Sequence, residues 1–161
     1  MAQSVPARRG WLFAMAAVCF AAVAAALVSQ YAFDMQPCPW CILQRLVFVG
    51  VGVLCLVAGL FAAPAARKTI TALALLLAAL GASAAVWQHV VAAKSASCNL
   101  TLADKIITAL GAEAIAPWLF GVKATCADAA VSILGLPYEY WSLALFVLLA
   151  LAAVKVLAQR S

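Results

Sequence analysis

Charge is what this sequence has least of. Only 9% of its 161 residues are Asp, Glu, Lys or Arg, against 69% hydrophobic residues. A soluble globule needs a far more polar surface than that, so the composition excludes one and points to an integral membrane protein. Histidine is scarcer still, with His89 alone in the chain. The net charge of +5 does not come from a basic patch, because the Lys and Arg residues are scattered at the ends of apolar runs; they read as topology signals and argue against nucleic-acid binding.

Four stretches approach the roughly 20 apolar residues that a membrane-crossing helix needs. They run over about 11–30, 42–61, 69–91 and 138–157, and predict an all-α, four-helix membrane bundle forming one domain over 1–161. The fourth is the least clean, since it is charge-free only between Glu139 and Lys155; the long Lys155 stem lets its ammonium reach the interface. Cleavage of residues 8–32 as a twin-arginine signal, suggested by "ARRGWLF", is disfavoured because the apolar stretch is longer than a signal peptide's core. An even number of spans places both termini on one side. Arg8, Arg9, Arg67, Lys68, Lys155 and Arg160 share that side, which the positive-inside rule makes cytoplasmic. Asp34, Asp104, Glu113, Asp128 and Glu139 all fall on the other face.

The six cysteines sort by depth in this scheme. Cys19 and Cys55 lie within the first and second spans among small apolar neighbours and read as packing residues. Cys38 and Cys41 fall in the short outer loop (31–41), and Cys98 and Cys126 in the long one (92–137). Two pairs on one face suggest two disulfides in an oxidising compartment such as the bacterial periplasm. On chain entropy, a bridge from Cys98 to Cys126 closes roughly 29 residues and contributes about 3.5 kcal/mol, while one within "CPWC" contributes only about 2 kcal/mol. The long-loop pair therefore suits a staple. The strained CxxC ring suits exchange, which makes Cys38 and Cys41 the stronger redox candidates. A zinc or copper site is disfavoured, since the second pair is not CxxC and the sole histidine lies in the third span.

Pro39 is suited to the first turn of a helix, so the second span should start at about residues 39–41. Cys41 then sits at a helix N-terminus, where the macrodipole favours a thiolate, and Arg45 lies one turn deeper on the same face. A guanidinium at that depth needs a route to the interface or a partner. A thiolate at the membrane lip is placed to pass electrons to a lipid-dissolved carrier, and a quinone takes the two electrons and two protons that a dithiol releases. Its carbonyls need donors: Arg45 is one, His89 or Gln88 another, with Gln44 a weaker candidate. In the long loop, "TLADKIITAL" and "EAIAPWLF", the latter with Trp118 and Phe120, predict a short amphipathic helix on the membrane surface that holds Cys98 and Cys126 near the level of Cys38 and Cys41.

Taken together, "CPWCILQR" ahead of span two, the histidine at the outer end of span three, the separated cysteine pair before span four and the following "LGLP" resemble the bacterial disulfide bond formation protein B (DsbB) family. The resemblance covers nearly the whole chain, with a shorter outer loop and with Gln44 where some members carry an acid. It implies an inner-membrane thiol oxidase that reoxidises a periplasmic thioredoxin-fold oxidase, DsbA, and delivers electrons to ubiquinone or menaquinone. On this chain, the resemblance implies that Cys98 is attacked by the partner and that Cys126 then exchanges with Cys38. Cys41 is left as the thiolate making a charge-transfer contact with the quinone, supported by Arg45 and His89. Such partners are strong oxidants at about −120 mV, so their reoxidation demands a still stronger acceptor. Two other classes compete: a vitamin K epoxide reductase-like quinone reductase, whose CxxC usually lies near the later helices, and a four-span structural or partner-binding protein stapled by its loops.

Overall fold

The computed structural model describes residues 4–61, 63–94, 101–129 and 131–159. Four helices are long and apolar enough to cross a membrane: α1 (Ser4–Ala32, with its apolar span from Ala7), α2 (Pro39–Leu60), α3 (Pro64–Val90) and, after the long loop, α7 (Tyr138–Ala158). The chain is thus a multi-pass membrane protein built as a four-helix bundle. The helix ends follow local chemistry. Pro39 and Pro64 open α2 and α3 at positions where a missing N–H costs nothing. That proline starts α3 ahead of Arg67 and Lys68, whereas the charge-free run alone begins at 69. At the far end of α1, Asp34 takes a positive φ of 53° and the Met35 N–H returns to the Ser29 carbonyl at 3.1 Å, which closes the helix and turns the chain toward Cys38.

The long loop folds into three short helices, α4 (Leu102–Ala109), α5 (Ala112–Ile115) and α6 (Pro117–Phe120), followed by a two-residue ribbon of β1 (Ser132–Ile133) and β2 (Leu136–Pro137). Thr101 and Asp104 cap α4 reciprocally, and the helix buries Ala103 and Ile107 while leaving Leu102 exposed. The ribbon turns through Leu134 and Gly135, with φ of 55° and 81°, the pair of left-handed residues that a two-residue hairpin of matching twist demands. "LGLP" is therefore a hairpin turn leading into α7. The sequence alone gave no strand there, because two residues carry no alternation to detect.

In the bundle, α1 packs on α2, α2 on α3 and α3 on α7, with α1 and α7 meeting only lightly. The α2–α3–α7 contact is tight. Phe48 and Phe146 stack at 4.0 Å between centroids and 10° between planes, and Gly81 of α3 lets Phe146 approach so closely that an added Cβ would fall 2.6 Å from its ring. Cys19 and Cys55 are fully buried in this core. Lys155, near the end of α7, lies over the Trp11 ring at 4.2 Å. The lightly packed α1–α7 seam leaves a cavity.

Candidate functional site

The site forms at the mouth of the bundle where α2 begins. Cys38 is the N-cap of α2, and its sulfur accepts the Cys41 backbone N–H at 3.3 Å. The same sulfur lies 2.8 Å from the Cys41 sulfur. The two loops are sewn together beside them, since the backbone N–H groups of Lys123 and Ala124 both donate to the Pro37 carbonyl, at 3.0 and 3.2 Å. This tie brings Cys126 against the buried cluster that holds Cys38. Three of the four outer cysteines thus form one cluster from two loops; Cys98 lies outside the described residues.

Within the cluster the protons are unequally held. Cys38 is fully buried. It is kept as a thiol far above its ordinary range by the neighbouring sulfurs, first Cys126 and then Cys41, with burial adding to both. Cys126 moves the other way. Hydrogen bonding from Cys38 and from the Trp40 backbone favours its thiolate against partial burial and the nearby Asp104.

Below the sulfurs, α2 carries Gln44 and Arg45, both buried. Arg45 does not reach the interface. Its guanidinium donates to Gln30 Oε1 at 2.7 Å and the Ala26 carbonyl at 3.1 Å, both on α1, and to the Leu119 carbonyl of α6 at 3.2 Å. A buried cation requires internal partners of this kind. From α3, Gln88 donates to the Cys41 sulfur at 3.3 Å and accepts from Gln44 Nε2 at 2.6 Å. Adjacent helical positions point about 100° apart, so Gln88 and His89 cannot both face α2. His89 turns to α7: its Nδ1 is 2.8 Å from Glu139 Oε1 and its Nε2 is 3.1 Å from the Tyr140 hydroxyl. Gln88 is therefore brought to the cysteines and His89 is not.

Cys41, Gln44 and Arg45 also form one wall of a cavity of 290 Å³ in the α1–α7 seam. Its other walls are mostly apolar, from Ala22 to Ser29 of α1 and from Tyr138 to Leu145 of α7, with Tyr138 and Ser142 adding hydroxyls. Sequence reasoning did not find Gln30, Tyr138, Glu139 or Tyr140. The available signals were a glutamine closing the first apolar run and an acid between two tyrosines at the start of the fourth.

A dithiol packed against a third cysteine and lining a cavity within a four-span membrane bundle is an arrangement suited to thiol–disulfide chemistry. Similarity to known proteins narrows that class. The profile of the family "Disulfide bond formation protein DsbB" matches residues 8–156. Disulfide bond formation protein B of Cupriavidus metallidurans is 33% identical over 153 residues, covering 94% of each chain. Its namesake from Burkholderia pseudomallei is 33% identical over 98% of this chain and 94% of its own. Disulfide bond formation protein B 1 of Pseudomonas syringae pv. syringae is 33% identical over 87% of this chain and 83% of its own. No solved structure matches. The chain belongs to the DsbB family of membrane disulfide-forming oxidoreductases.

Proposed function

We propose that this protein is a thiol:quinone oxidoreductase of the bacterial inner membrane, with both termini cytoplasmic and both cysteine loops periplasmic. It reoxidises a DsbA-like thioredoxin-fold dithiol oxidase and passes the electrons to the membrane quinone pool. The observation that carries this proposal is the shared position of Cys41, which touches Cys38 of the cluster and also lines the seam cavity.

The exchange begins when a partner thiolate attacks Cys98 of a Cys98–Cys126 disulfide, forming a mixed disulfide and releasing Cys126. The partner's second thiol then displaces Cys98, so the partner leaves oxidised and the loop pair holds two electrons. Cys126 attacks Cys38 of a Cys38–Cys41 disulfide and expels Cys41. Cys98 closes again on Cys126, and Cys38 departs as a thiol that keeps its proton. The net result moves two electrons from the partner to the Cys38–Cys41 pair.

The cavity suits a quinone head group. Its walls are apolar, and Arg45, with five N–H groups of which three are committed to Gln30, Ala26 and Leu119, retains two for a carbonyl oxygen. Bound there, ubiquinone or menaquinone supplies the acceptor for two electrons and two protons. Gln88 steadies the Cys41 sulfur, Arg45 supplies positive charge beside it, and the Ala and Val side chains of α1 keep water away. Mixing the purified protein with quinone and reduced partner should give catalytic loss of quinone absorbance that disappears in Cys41→Ser. A Cys41→Ser variant that turns over at the parent rate would refute the proposal.

A further inference from the structure

Hydroxyl groups inside a membrane bundle need partners, and a helical serine or threonine finds one in the carbonyl four residues back. Four do so in this bundle: Ser29 donates to the Ala25 carbonyl at 2.9 Å, Thr69 to that of Ala65 at 3.2 Å, Thr71 to that of Arg67 at 2.8 Å and Ser83 to that of Ala79 at 3.0 Å. Ser142 of α7 does not. It is only 8% exposed, yet its hydroxyl makes no hydrogen bond among the described residues. The tyrosines show the same contrast. The Tyr31 hydroxyl donates to the Trp118 carbonyl at 2.7 Å and that of Tyr140 lies 3.1 Å from His89 Nε2, whereas that of Tyr138, one turn before Ser142, has no partner among the described residues.

Positions 138 and 142 share a helix face, and both residues line the seam cavity. Cys41, Gln44 and Arg45 form its α2 wall, and α1 contributes mainly apolar surface. Two donors are thus left over on the α7 wall of a largely apolar hollow, with the Arg45 guanidinium on another. A buried hydroxyl without a partner is costly, so two of them on one face point to an occupant that accepts hydrogen bonds. Packing alone explains neither, because phenylalanine and alanine would fill nearly the same space with no polar group to satisfy. A quinone carries two carbonyl oxygens on opposite edges of its ring, each with two lone pairs. Arg45 serves one of them, and a pair of hydroxyls matches the two lone pairs of the other.

We propose that Tyr138 and Ser142 donate to the second carbonyl oxygen of the quinone, so that the ring is held at both oxygens, by Arg45 of α2 and by the hydroxyls of α7. The assignment rests on the reading of this cavity as the quinone site. Held at both edges, the ring keeps its orientation toward Cys41, and negative charge developing on the second oxygen during reduction meets two donors. Full-length protein in detergent is assayed with reduced partner and quinone, each varied in turn. Tyr138→Phe and Ser142→Ala each remove one hydroxyl oxygen and should raise the KM for quinone about fivefold, and the double variant roughly twentyfold, with the KM for the partner within about twofold of the parent. Tyr140→Phe, whose lost hydroxyl serves His89, should leave both values unchanged. Infrared difference spectra of bound quinone, isotopically labelled at one carbonyl at a time, read the contact itself. In the parent both carbonyl bands should lie below the free-quinone position, and in the double variant one should return to it. An unaltered quinone KM or unaltered carbonyl bands in the double variant would overturn the α7 contact while leaving the quinone reading in place. A rise in the partner's KM equal to that for quinone would make the pair structural and overturn the contact equally. A parent protein that consumes no quinone would overturn the quinone reading, and this proposal with it.

Discussion

Replacing Arg45 by Met keeps the length of the side chain and removes its charge and its donors. The structure sets the scale of two separate effects. On stability, three hydrogen bonds from a charged donor are lost, each typically about 1.5–3 kcal/mol, but the several kcal/mol spent desolvating the guanidinium are recovered. The two nearly offset, and a net destabilisation of about 2 kcal/mol or less is expected. On activity there is no such offset, because the two N–H groups left for a ligand carbonyl disappear with the charge beside Cys41. Loss of one charge-assisted hydrogen bond of about 1.5–3 kcal/mol corresponds to roughly a 10- to 150-fold rise in the KM for quinone, while the KM for the protein partner should change less than about twofold. Steady-state turnover followed by quinone absorbance, with each substrate varied in turn, measures both. Arg45→Lys should fall between, since an ammonium keeps the charge without the fork of donors. If the partner's KM rises as much as that of quinone, or if Arg45→Met lowers only the thermal midpoint, Arg45 is a structural tie between α1, α2 and α6 and the assignment fails.

Other consequences are as direct. In the reduced protein, Cys126 should be alkylated ahead of Cys38, and its reaction should persist to a pH below the ordinary thiol value of 9.0; mass-spectrometric alkylation rates against pH would check this. The sign follows from the shifts: the Cys126 thiolate contributes stability above its ordinary value and loses it as pH falls through the lowered one, whereas the Cys38 thiol contributes below its ordinary value and loses it as pH rises. Glu139→Gln should cost about 1 kcal/mol of stability by weakening the His89 contact while leaving the KM for quinone within about twofold, and a large KM effect would place His89 at the cavity. Gly81→Ala should cost about 1–3 kcal/mol in thermal or denaturant unfolding, because the stacked Phe146 ring has little room to withdraw.

The bundle was legible in the sequence because charge marks membrane boundaries sharply. Uncharged runs between Arg9 and Asp34, and between Arg45 and Arg67, leave few alternatives to a spanning helix. The boundaries shifted where proline and long basic side chains extend a helix past its apolar part, as at Pro64 to Lys68. Cys38, Cys41 and Arg45 were also legible, since their spacing around Pro39 is local. What was not legible depends on helical phase and on contacts between distant segments. The rotation that gives Gln88 to Cys41 and His89 to Glu139 follows from the packing of α3 between α2 and α7, and one histidine in an apolar helix carries no such information. Gln30 meets Arg45 only once α1 lies beside α2. The seam cavity depends on the light contact between α1 and α7, for which the alanine-rich sequence has no marker.

The central claim is that electrons cross between the loops through Cys126 and Cys38. It is tested most directly by mapping disulfides in a trapped complex. A partner oxidase reduced to its single attacking cysteine cannot resolve its mixed disulfide with Cys98, so the freed Cys126 must go elsewhere. After quenching and peptide mapping without reduction, the expected product joins Cys38 to Cys126 and leaves Cys41 open to alkylation. An intact Cys38–Cys41 disulfide together with an alkylated Cys126 would contradict it.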